Sequence, residues 1–76
     1  MKHNHYFKAC PYKAIDVYRV CEIFKVKDPS GAKQHALKKV LMAGDRGAKD
    51  EYKDIREAID TLERWCEMRI EEDFNK

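Results

Sequence analysis

The feature that most constrains this chain is the run from residue 49 to residue 74, which contains neither Gly nor Pro. Tyr52, Ile55, Ile59, Leu62 and Cys66 recur along it at alternating three- and four-residue steps. That period gathers them into one apolar stripe on a helix. Asp54, Arg56, Glu57, Asp60, Glu63 and Arg64 fill the faces between and favour water. The spacing predicts a long C-terminal helix over about 49–74, with its stripe as the surface on which every other segment packs. Asp50 and Glu51 fall in its first turn, at the positive end of the helix dipole. Asp60 and Arg64 stand at the i, i+4 spacing of a helical ion pair.

Two shorter helices are expected upstream. Over about 14–26, Val17, Val20, Cys21 and Phe24 share one helical face, widened by Ile15 and Ile23. The β-branched content also suits a strand. Strand alternation, however, would put Asp16, Tyr18, Val20, Glu22 and Phe24 on one face, a mixture that favours the helix. Apolar nearly all round, this segment should be the most buried. Asp28-Pro29 then reads as a helix start, with Asp28 capping and Pro29 at the first helical position. The second helix runs over about 29–43, with Ala36, Leu37, Val40 and Leu41 inward and Gly44 ending it. Residues 1–12 lack any period, and Pro11 stops a helix there. They read as an arm tied down by Tyr6 and Phe7. The fold class is therefore all-α: one domain over residues 1–76, with three helices, the last of them long.

A chain of 76 residues has a small core, contributing about 3–5 kcal/mol net without a staple, a metal or an oligomer. Three cysteines (Cys10, Cys21 and Cys66) are too few and too scattered for a disulfide framework, which points to a reducing compartment. No apolar run approaches the roughly 20 residues of a membrane span. The expectation is a soluble cytoplasmic protein. Its net charge of +2 divides unevenly: residues 1–44 carry +6 and residues 45–76 carry −4. Such a division suits head-to-tail complementarity or two partner surfaces.

Three constellations bear on function. His3, His5 and Cys10 are zinc-ligand types, but their spacing matches no structural zinc pattern and a fourth ligand is not evident, so no metal is expected. His35, Lys38 and Lys39 lie one helical turn apart, and Arg46 and Lys49 follow near the start of the last helix. Free N–H groups and the dipole there make this a candidate anion or partner-binding site. The Walker string is absent. Trp65, Met68, Ile70 and Phe74 lie where the last helix outruns the second one. Apolar residues on several faces there mark an expected oligomer or partner interface. Catalysis finds little: no local Ser/His/Asp set exists. The acids Asp54, Glu57, Asp60 and Glu63 could hold Mg²⁺ only with acids from other helices, which supply just Asp16, Glu22 and Asp28.

Several strings carry a resemblance. They are His5-Tyr6, Ile15-Asp16-Val17-Tyr18-Arg19-Val20, His35-Ala36-Leu37-Lys38-Lys39-Val40-Leu41, Gly44-Asp45-Arg46-Gly47 and Asp54-Ile55-Arg56-Glu57-Ala58-Ile59. Through them the chain resembles a family of small tailed-bacteriophage proteins of uncharacterised role. It is also similar to a helical domain found alone or fused to a phage nucleotide kinase. The resemblance implies phage origin and action in the cytoplasm of an infected bacterium. It supplies no activity. The resulting expectation is a non-enzymatic protein without a cofactor that self-associates. It would modulate or inhibit a host macromolecule, such as a defence or nucleic-acid-handling complex. One alternative is a binder of nucleotides or signalling nucleotides through the basic site. Another is a nucleic-acid binder, against which the low net charge counts.

Overall fold

The computed structural model describes residues 6–45 and 47–75, the side chains at 48 and 49 excepted. The architecture is all-α, with α1 Val17–Ile23, α2 Ala32–Met42 and a long C-terminal α3 Ala48–Phe74. None of the described residues forms a strand. None of the helices is long and apolar enough to cross a membrane.

Local chemistry sets boundaries narrower than the periodicity predicts for the first two helices. Asp16 caps α1, its carboxylate accepting the Arg19 N–H at 2.9 Å. Seven residues later the helix closes in a Schellman turn. The Val26 N–H donates to the Cys21 carbonyl at 3.0 Å and the Lys25 N–H to the Glu22 carbonyl at 3.1 Å. Lys25 stands at φ 53° to make that turn, a conformation glycine takes more readily. The start of α2 also departs from expectation. Asp28 does not begin the helix. Gly31, at φ 80°, is the N-cap, and Ala32 opens the helix. The Asp28 carboxylate reaches forward from outside and accepts the N–H groups of Lys33 and Gln34, both at 2.9 Å. At the other end, Gly44 at φ 91° follows the Ala43 C-cap, as expected.

α2 and α3 form the principal pair. Lys39 meets Asp54 and Glu57 near the connecting turn, and Lys33 meets Trp65 farther away, so the two helices run antiparallel. α3 extends past the start of α2. Residues 27–30 reach alongside Met68, Arg69 and Glu72, and Phe74 stands beyond, 86% exposed.

Packing overturns the expected role of the stripe. Asp54 and Ala58 are the buried side chains of α3 among those described, and Asp50, Glu57, Thr61, Trp65 and Met68 are half-buried. Tyr52, Ile55, Ile59, Leu62 and Cys66 are exposed instead. Ala36 of α2 and Ala58 of α3 are the buried apolar residues, and Asp54 is buried beside them. Small side chains let two backbones approach closely, and the deepest apolar burial on these helices falls at the alanines rather than at the aliphatic row. On α2, Ala36 is buried and Leu37 half-buried as expected, but Val40 and Leu41 point outward.

The first segment departs further. α1 contains no buried residue, although its composition predicts the most buried element. Among the described residues it leans on α2 alone and does not reach α3. Tyr6 and Phe7 are likewise largely exposed, at 64% and 61%. The expected Asp60–Arg64 pair is also replaced: Arg56 takes Asp60 at 2.9 Å, and Arg64 pairs with Glu67 and Glu71. Each of these arginines reaches a different carboxylate on its own helix.

Candidate functional site

The basic ridge is divided by its neighbours. Lys39 turns toward α3, its Nζ 2.7 Å from Glu57 and 3.7 Å from buried Asp54. The hydrogen bond from Lys39 holds the Glu57 carboxyl below its usual range, with the lysine charge adding to the effect. His35 and Lys38 stay exposed one turn away. Together with Lys39, Met42, Asp45 and Asp54 they line a shallow cleft of about 350 Å³. Acids and cations therefore share this cleft, which suits a polar partner of mixed charge better than a bare phosphate. Arg46 and the Lys49 side chain lie outside the described residues, as do His3 and His5. Cys10 is exposed. Among the described residues no cluster of three His, Cys, Asp or Glu could hold a metal.

A second cleft of about 350 Å³ lies where the turn before α2 meets the C-terminal half of α3. Trp65 and Met68 give it apolar walls, and Lys27, Lys33 and Arg69 surround them, with Glu72 at the edge. The Lys33 Nζ stands 5.6 Å over the Trp65 ring. Local spacing could not reveal this cleft, because its cations come from three separate segments. The signal available was the lone tryptophan on a helix face shared with Met68. An aromatic wall ringed by cations suits an anionic group carried on a flat or apolar body.

The four expected interface residues separate. Trp65 and Met68 are half-buried against the α2 side, whereas Ile70 and Phe74 are exposed. Two further exposed apolar surfaces do not follow from local spacing. One is the α3 stripe itself, with an open groove bounded by Ile59, Leu62, Glu63, Cys66 and Glu67. The other is the flank before and along α1, where Tyr6, Phe7, Tyr12, Ile15 and Tyr18 are all exposed. Arg19 crosses the Tyr12 ring at 4.2 Å and also pairs with Glu22 at 3.2 Å. Lys8 and Lys13 lie in the same flank. The early run of aromatics is legible in the sequence, but its exposure is not.

Comparisons with family models, with curated proteins and with solved structures find no match to this chain.

Proposed function

We propose that this chain is a small phage-encoded binding protein without catalytic activity, which acts in the bacterial cytoplasm by engaging a host macromolecule. The observation that carries the binding role is uncovered surface. The chain exposes 6606 Å², whereas a folded monomer of 9.0 kDa exposes about 4,900 Å². Its radius of gyration is 15.1 Å, against about 11 Å for a compact domain of this length. Large hydrophobic side chains such as Phe7, Tyr18, Tyr52 and Phe74 are among the exposed ones, so association stabilises the chain by covering them. The phage and host parts of the reading rest on the resemblance of the short motifs.

The aromatic flank is the surface best suited to a host partner. Tyrosine and phenylalanine are enriched where proteins meet, because they bury large areas at low entropic cost. Residues 6–26 carry four Lys/Arg against two Asp/Glu, so an acidic partner surface is favoured. The test is affinity capture from bacterial lysate with the intact chain, compared with a Phe7→Ala/Tyr18→Ala variant. Both side chains are exposed, so the melting temperature should stay unchanged while recovery of the partner falls at least about tenfold. Undiminished recovery would remove the flank from the proposal, and recovery of no partner would remove the host-binding role.

A second reading, nucleotide binding, is favoured by the Trp65 cleft rather than by the ridge of His35, Lys38 and Lys39. Trp65 is the sole tryptophan, so its fluorescence reports occupancy directly. A nucleoside triphosphate at millimolar concentration should quench it and raise the melting temperature. Lys33→Glu/Arg69→Glu should abolish both effects, and an unresponsive wild-type chain rules the reading out.

A further inference from the structure

We infer that two copies of this chain pair through the exposed stripe of α3, with their α3 helices antiparallel. The inference begins with the two rows of that helix. Asp54, Ala58, Thr61, Trp65 and Met68 form the row turned toward α2. Ile55, Ile59, Leu62, Cys66 and Arg69 each follow one of them by one residue. One residue is about 100° of rotation. The second row therefore lies beside the α2 contact without being blocked by it. With Tyr52 it makes a three-four repeat sustained over 18 residues, 52–69, the pattern of a helix seam. Tyr52 is 75% exposed and Leu62 44%, so the described residues of this chain do not cover the seam.

A second copy fits this seam on both apolar and charged criteria. With the two-fold axis between Ile59 and Leu62, Ile59 meets Leu62 of the second copy, and Ile55 meets Cys66. Tyr52 meets Arg69, whose guanidinium can lie over the ring. At the edge of the seam, Arg56 falls beside Glu63 of the second copy, and Glu63 beside Arg56. These two side chains already face the same edge of their own helix, 3.7 Å apart. A parallel pair would instead oppose Arg69 to Arg69 and Asp73 to Asp73 within the seam, placing like charges together. In the antiparallel pair Glu51 and Glu72 approach across the other edge, where solvent screens them. A stable interface covers about 800 Å² per partner. The surplus of exposed surface is roughly twice that by the scaling of area with mass. Pairing α3 thus leaves the aromatic flank free for another partner, and its test is independent of the host-binding proposal.

The experiment uses the purified full chain and sedimentation equilibrium. The wild type should sediment at micromolar concentration with twice its 9.0 kDa mass. Ile59→Glu should raise the dissociation constant at least about 100-fold while circular dichroism stays helical, since Ile59 is exposed in the single chain. Arg56→Glu should weaken pairing, and Glu63→Arg added to it should restore pairing, an outcome particular to the antiparallel register. In a Cys10→Ser/Cys21→Ser background, Ile55→Cys should give a dimer cross-linked to Cys66 of the second copy on mild oxidation. A monomeric wild type, a dimeric Ile59→Glu variant, or a Cys66-to-Cys66 bridge would each overturn the inference.

Discussion

The two neighbouring rows of α3 reverse the usual relation between chemistry and burial. The row turned toward α2 contains an aspartate, an alanine and a threonine, followed by Trp65 and Met68. The row one residue onward carries the aliphatic residues and faces outward. Both rows run with the helical period, and the greasier one is the more exposed. The comparison teaches that close approach decided the intramolecular contact. Ala36 and Ala58 are each 3% exposed, and among the described residues no larger apolar side chain is buried as deeply on either helix. The aliphatic row then serves association. Within one chain it contributes less than full burial would, because Ile55, Ile59 and Leu62 stay 38%, 40% and 44% exposed.

The sharpest way to break this comparison is to change adjacent residues. Ala58→Leu inserts three carbons at a buried position of α3. Overpacking of that kind costs about 1–3 kcal/mol. Ile59→Ser, one residue along, should change the stability of the isolated chain by no more than about 0.5 kcal/mol. Urea denaturation at a dilution where the wild-type chain is monomeric measures both. Equal destabilisation at the two positions would mean that the outer row is covered within the chain after all.

A smaller effect tests the polar part of the inner row. Asp54 is 3% exposed, and Lys39 reaches it from α2. Lys39→Met keeps the length of the stem but withdraws the charge from a buried carboxylate. Leaving such a group without one of its partners costs about 1–3 kcal/mol. Asp54→Asn in the same background removes the buried charge and should recover part of that loss. A double-mutant cycle reads the coupling directly. Additive losses would show that Lys39 stabilises the pair by packing its stem rather than through its charge.

These two tests also mark what was legible in the sequence. Three helices, the long C-terminal one and the Gly44 stop follow from periodicity and from turn chemistry, both of which are local. The choice of face on α3 is not local. Two rows at helical spacing compete there, and the decision belongs to Ala36 on another helix. The extent of α1, Val17–Ile23, is shorter than the periodicity predicts for a related reason. Hydrophobic residues continue past Ile23, but the Schellman bonds at Lys25 and Val26 end the helix there. The sequence marks Asp28 as a capping residue but not its position, because its carboxylate reaches donors five and six residues ahead. Of the candidate sites, His35 and Lys38 face outward as their spacing required. Lys39 does not, because its acidic partners lie on α3 and only the fold brings them within reach. The Trp65 cleft was hidden in the same way, its cations being spread over three segments.

The smallest expected effect concerns pH, and it returns to Lys39. Its hydrogen bond to Glu57 lowers that carboxyl below the ordinary value of 4.5. A carboxyl with a lowered folded-state pKa stabilises the fold in its ionised form. That contribution is complete above the unfolded-state value and is lost as pH falls through the folded-state value. Stability should therefore hold steady above about pH 4.5 and decline below it. Glu22, lowered by its hydrogen bonds to Lys25 and Arg19, contributes to the same acid limb. The two are separable by substitution. Lys39→Met should return Glu57 to the ordinary range in a carboxyl-resolved NMR titration while leaving Glu22 in place. If Glu57 still titrated low without Lys39, the contact across the α2–α3 pair would not be what holds it ionised. The acid limb would then belong to pairs within single helices.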